Sequence, residues 1–256
     1  MAYNLPNSIK INNAQDLDIC VQYVAQMNLG DSTSSEIHEN YSICLFMLAL
    51  YRAGNIVYPT VIEILGHRDP PDFIIHVSTP PVLIGIEHTT ATLGSFKVAM
   101  KEMEQNCDIR WLESSLYTFK NPLPVKRAFS GLISNDDSLT RPPLYGNAHL
   151  KNWVDFVFAA YKIKSQRSSK PNKNQFESYE LLVEVSIPNR IGVKHDQALI
   201  MLKDKVGKES ANIPTIYHKL HIFSQGRVII DALGKSEIIE LSKRDVKILR
   251  EKLRIA

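Results

Sequence analysis

Asp72 and Glu87 are the residues whose types and spacing most directly suggest chemistry. They sit at either end of the segment PDFIIHVSTPPVLIGIE. In it two apolar runs, Phe73–Val77 and Val82–Ile86, enclose the turn-forming cluster Ser78-Thr79-Pro80-Pro81. A loop symmetric about the Thr79–Pro80 bond sets Val77 opposite Val82, Ile75 opposite Ile84, and Asp72 opposite Glu87. Residues so opposed have Cβ atoms about 4.5–5.5 Å apart. Alternation puts Asp72, Ile74, His76, Leu83, Gly85, Glu87 and Thr89 on one face of the pair, and Phe73, Ile75, Val77, Val82, Ile84, Ile86 and His88 on the other. Like charges facing each other across strands destabilise a sheet. A hard divalent cation offsets that cost, because Mg²⁺ takes oxygens from one or two carboxylates and fills its remaining positions with water. On this reading, removing either charge leaves stability unchanged or raises it.

The surrounding elements must hold this pair. The segment STSSEIHENYSICLFMLALYRAGN predicts a helix from about Ser34 to Gly54. Thr33-Ser34-Ser35-Glu36 fits a capping box, which occupies Glu36 and leaves Glu39 as the less explained acid, on a partly buried flank with Ile43, Phe46 and Leu50. Residues 56–65 predict a strand leading into the hairpin. Leu93–Cys107 predicts a helix, and 113–148, rich in Pro, Ser, Asn and Asp, an irregular insertion. His149–Ser165 predicts a helix with Lys162 and Lys164 near its end, followed by the basic loop Ser165–Lys173. Tyr179–Ile187 reads as a strand buried on both faces. A charged helix over 194–210, a hairpin of His218–Phe223 with Arg227–Ile230, and a basic helix over Ser242–Leu253, capped by Ser242 with Asp245, complete the chain. A helix over Ala14–Leu29 opens it as accessory packing.

The 256 residues, 44% hydrophobic and 22% charged, describe one folded domain with a sizeable core, comprising the accessory N-terminus (1–30), a core (31–190) and a C-terminal helix–hairpin–helix extension (191–256). A formal charge of +3 permits nucleic-acid binding without demanding it. Cys20, Cys44 and Cys107 lack metal-ligand spacing and read as reduced thiols of a cytoplasmic protein. MAYNLPNSIK lacks the apolar core of a signal peptide, and no run approaches the roughly 18 apolar residues of a membrane helix. The histidines show no zinc spacing, and no Gly-rich phosphate loop or nucleophile elbow is present. Bland alternatives stand beside the chemical ones. Asp72, following two prolines, could cap a turn. His67 and His76 could approach the site, but more often such residues are structural, and His88, on the opposite face from Glu87, reads as a packing or hydrogen-bonding histidine.

The order helix, strand, hairpin, helix, strand, with an acid in the first helix and the pair PD…IE in the hairpin, resembles the PD-(D/E)XK nuclease superfamily. The resemblance covers roughly residues 35–110 and continues less specifically to 187. It implies an α/β, restriction-endonuclease-like mixed central sheet flanked by helices. It also implies Mg²⁺- or Mn²⁺-dependent hydrolysis of phosphodiester bonds in nucleic acid, DNA in the first instance, in a mobile-element or anti-phage setting. Asp72 and Glu87 are then the metal ligands and Glu39 the helix acid. The family's lysine, two residues after the second acid, is Thr89 here. Threonine supplies no charge, so another element must provide it. Lys97 is the first choice, with Lys101 and Lys162 as alternatives, and Lys162, Arg167, Lys170 and Lys173 are candidates for phosphate-backbone contact. A second copy of the chain, or subunits of a larger complex, are further expected partners. Loss of the lysine also admits a catalytically weakened or inactive module that binds nucleic acid or protein. An unrelated α/β interaction protein is the reading if Asp72 and Glu87 are not neighbours in space.

Overall fold

The computed structural model describes residues 5–27, 35–65, 70–92, 98, 109–112, 132–134, 148–166, 175–185, 193–214, 216–224 and 226–255. They form an α/β structure of two compact units. One unit comprises Met1–Thr89, Lys164–Glu184 and Ile213–Ala256, and the other Thr90–Ile163 and Val185–Asn212. Among the described residues no helix is long and apolar enough to cross a membrane.

The first unit is built on an eight-stranded mixed sheet. Its strands are β1 (Ser8–Ile11), β2 (Thr60–Ile64), β3 (Phe73–Ser78), β4 (Pro81–Ala91), β7 (Ser178–Val185), β8 (Lys219–Ser224), β9 (Arg227–Ile230) and β10 (Glu237–Glu240), hydrogen-bonded in that order. The hairpin has the register that loop symmetry predicts, with Val77 opposite Val82, Ile75 opposite Ile84 and Phe73 opposite Ile86. The strand expected over 56–65 is confined to β2, since Pro59 has no N–H to give a ladder. Its carbonyl still accepts the Ser78 N–H at 3.2 Å. The Tyr179–Ile187 expectation is met as far as Val185 by β7, in the same sheet and next to β4, and residues 186 and 187 lie outside the described residues. β8 to β10 continue that sheet beyond β7, and β10 is a strand that no sequence pattern announced.

Helices α1 (Asp18–Gln26), α2 (Ser35–Arg52) and α5 (Lys243–Ile255) share one apolar core with this sheet. The core joins Val21 and Val24 of α1, Ile43, Leu45, Met47 and Leu48 of α2, and Val246, Leu249 and Leu253 of α5 to Phe73, Ile75, Ile86 and Leu182 from the strands. Every residue of α2 from Asn40 to Ala49 is buried, as suits a helix apolar on nearly all sides. The expected cap of α5 is present: Asp245 Oδ2 accepts the Ser242 N–H at 3.0 Å, and Ser242 Oγ accepts the Asp245 N–H at 3.3 Å. At the N-terminus the expected single helix divides into a 3₁₀ turn, Ala14–Leu17, whose first amides bond the Asn13 side chain, and α1.

The second unit contains the antiparallel pair β5 (Ile109–Leu112) and β6 (Leu132–Ser134), most of α3 (Ala148–Gln166) and α4 (His195–Glu209). β6 falls within the segment read as an irregular insertion. Inside this unit Lys205 pairs with Asp155 at 2.5 Å. The helix expected over Leu93–Cys107, most of 113–148 and the Thr33 side of the α2 cap lie outside the described residues. Cys20 and Cys44 are buried and free, and Cys107 lies outside the described residues.

Candidate active site

Glu87 is the centre of the arrangement. A carboxylate in the middle of a sheet is costly unless it is paired and hydrogen-bonded, and three donors meet this one. Lys164 Nζ, from the last turn of α3, lies 2.6 Å from Glu87 Oε1. Tyr179 Oη of β7 donates to Oε2 at 3.2 Å, and Tyr217 Oη, from the segment before β8, donates to the same oxygen at 2.5 Å. Burial first, and then the Glu87 charge, hold both phenols far above their ordinary range, so they serve as neutral donors. Their rings stack with centroids 5.4 Å apart and planes 13° from parallel. Gly85, two residues before Glu87 on the same face, makes the stack possible. A Cβ there would stand 2.8 Å from Tyr179 Cδ2 and 3.3 Å from Phe176 Cδ1.

Asp72 stands one step beyond the last β3–β4 pair. Its Oδ2 accepts the backbone N–H of His88 at 2.6 Å, which ties it to the residue after Glu87. Its charge acts on Tyr179, Tyr217 and Glu39. Glu39, in the first turns of α2, is half-buried. Burial, with the Asp72 charge second, raises its carboxyl to about 7, against the opposing pull of the Lys164 ammonium. Lys164 thus links two of the acids: it pairs with Glu87 and its charge acts on Glu39, which also feels Asp72.

The opposite face of the same strands carries a second polar cluster. His38, the neighbour of Glu39, places Nδ1 3.1 Å from both carboxylate oxygens of the buried Glu184 on β7. His88, the neighbour of Glu87, lies with Nε2 3.7 Å from Glu184 Oε2, on the face that alternation assigned to it. This cluster ties α2 and β4 to β7 and so fixes the backbone that carries Glu39 and Glu87. Farther along β7, Glu180 accepts from Ser178 Oγ at 2.7 Å and meets His221 Nε2 at 2.8 Å and Lys219 Nζ at 3.3 Å. Burial alone would raise the Glu180 carboxyl, but these partners outweigh it and bring it to about 2.

The expected acids Asp72, Glu87 and Glu39 are connected through shared neighbours: Lys164 acts on Glu87 and Glu39, and the charges of Glu87 and Asp72 both act on Tyr179 and Tyr217. Among the described residues the lysine in contact with Glu87 is Lys164, which was not among the expected Lys97, Lys101 and Lys162. Lys162 pairs with Glu209 at 3.1 Å and lies 5.8 Å from the Phe158 ring centre. Lys97, Lys101, Arg167, Lys170, Lys173 and His67 lie outside the described residues. His76 sits 3.2 Å from Glu63, on the neighbouring strand. One expectation needs correction. The Glu87 charge is compensated by Lys164 and two hydroxyls, so deleting it strands a largely buried ammonium and does not simply relieve repulsion. Tyr179, Tyr217 and Gly85 escaped the sequence reading, although glycine inside a strand signals a close approach by another group.

Carboxylate oxygens are hard donors that suit Mg²⁺ or Mn²⁺. Among the described residues no group of three or more His, Cys, Asp or Glu side chains is placed to hold a metal ion. The donors present fit a cation carried on one or two carboxylates and completed by water or substrate oxygens, and do not fit an all-protein cage. No protein-family model, curated protein or solved structure matches the chain.

Proposed function

We propose that this chain is a metal-dependent nuclease with a restriction-endonuclease-like core, hydrolysing phosphodiester bonds in nucleic acid, DNA in the first instance. Lys164 takes the place that Thr89 cannot fill. The observation that carries this reading is the 2.6 Å contact between Lys164 Nζ and Glu87 Oε1, with the Lys164 charge also acting on Glu39, which in turn feels Asp72. An α/β core with an acid at the start of a buried helix, two acids at a hairpin end and one lysine among them has the parts that phosphodiester hydrolysis needs. Asp72 and Glu87 would hold Mg²⁺ or Mn²⁺, which when bound activates water and stabilises charge on the phosphate. Lys164 supplies a fixed positive charge against the phosphate oxygens. The His88 N–H orients Asp72, and the tyrosine hydroxyls orient Glu87.

A second reading, a module that binds nucleic acid without cutting it, draws support from the internal hydrogen bonds that both acids already accept. Incubation of plasmid DNA with Mg²⁺ or Mn²⁺ separates the two. The nuclease reading expects cleavage by the parent, abolished in Asp72→Asn and Glu87→Gln with the fold retained. A parent that retards DNA on a gel but cuts under neither metal favours the binding module.

A further inference from the structure

Glu87 Oε2 receives two phenolic hydroxyls, whereas Oε1 receives only Lys164 among the contacts described above. The two rings are built into place. Tyr179 is fully buried on β7, its ring packs against Phe176 with centroids 5.8 Å apart, and it stacks on Tyr217. The missing Cβ of Gly85 opens the space in which the Tyr179 ring lies. A carboxylate pinned at one oxygen by two rigid donors cannot rotate about its last torsion. Its other oxygen keeps one direction, shared with Lys164.

We propose that Tyr179 and Tyr217 are positioning residues of this site: they hold Glu87 Oε2 so that Oε1 is presented to a divalent cation. The inference rests on the reading of Glu87 as a metal ligand. Partners that orient a ligating carboxylate commonly contribute about 10- to 100-fold to metal affinity. Without the hydroxyls, Glu87 can turn both oxygens toward the Lys164 ammonium, and the cation loses its ligand.

The test is Mn²⁺ binding by titration calorimetry to the parent, Tyr179→Phe, Tyr217→Phe and the double variant, with thermal melting of each and plasmid cleavage by the parent. Phenylalanine keeps the ring stack and removes only the hydroxyl. The double variant is expected to bind Mn²⁺ about 10- to 100-fold more weakly. Gly85→Ala, which displaces the Tyr179 ring and deletes no hydroxyl, is expected to weaken binding in the same direction. If the double variant fails to fold, Tyr217→Phe alone decides, with a loss of about tenfold expected. Unchanged or tighter Mn²⁺ binding in the folded variants overturns the proposal. When that occurs in a protein whose parent still cuts DNA, the nuclease reading survives; a parent that neither binds Mn²⁺ nor cuts rejects both.

Discussion

At the scale of single residues, the chemistry turns on how Glu87 is compensated. The acids themselves are legible in the sequence. The symmetric hairpin register, observed from the pair Phe73 and Ile86 to the pair Ser78 and Pro81, puts Asp72 and Glu87 one step beyond its last pair, and Asp72 accepts the His88 N–H. The sequence does not supply the compensation, which comes from Lys164, Tyr179 and Tyr217, each distant in the chain. Lys162 and Lys164 are indistinguishable in composition and nearly so in position. Helical geometry sets residues two apart on different sides of α3, so one meets Glu209 and the other Glu87. Both side chains of the Lys164–Glu87 pair are 12% exposed, so the pair is mostly but not fully withdrawn from water. Glu87→Gln is therefore expected to lower stability by up to about 3 kcal/mol, the lower end of the loss seen when one partner of a buried pair is removed. Adding Lys164→Met should restore part of that loss, because the two effects are coupled. Urea denaturation of the single and double variants measures this. Additive losses would mean that the pair contributes no coupling.

At the scale of elements, β7 explains why apolar patterning is an incomplete guide. Tyr179–Val185 is buried throughout, as a central strand should be, yet it includes Glu180 and Glu184. Their partners come from elsewhere: His38 from α2, and His221 and Lys219 from β8. No local pattern reveals such pairings. Glu180 carries a pH signature. Its partners outweigh burial and hold its carboxyl at about 2, below the ordinary value of 4.5. A depressed carboxyl stabilises the fold fully above the unfolded-state value and loses that contribution as pH falls through the folded value. The gap corresponds to about 3 kcal/mol, present at neutral pH and lost between about pH 4.5 and 2. Glu180→Gln should lower stability at pH 7 by an amount of that order and flatten this part of the acid limb. Chemical denaturation across pH 2–7 checks it, and an unchanged acid limb would assign the acid sensitivity to other groups.

At the scale of the whole molecule, the legible part was the local part: the hairpin register, α2, α3, β7, the β8–β9 hairpin and the capped α5. These follow from periodicity, turn chemistry and caps, which act over a few residues. The order of strands in the sheet, the joining of β8 to β10 onto β7 and the convergence of residues 39, 72, 87, 164, 179 and 217 depend on long-range packing. Under the proposed function, Lys164 supplies the charge missing at Thr89. The most direct test of that role is the rate of Mg²⁺-dependent plasmid cleavage by Lys164→Ala, measured beside Lys162→Ala and the parent. Loss of one preorganised charge-stabilising group typically slows a reaction by about two orders of magnitude or more. A fall of that size is expected for Lys164→Ala, with Lys162→Ala, whose parent ammonium pairs with Glu209, close to the parent. Cleavage by Lys164→Ala at the parental rate would contradict the proposed role of Lys164.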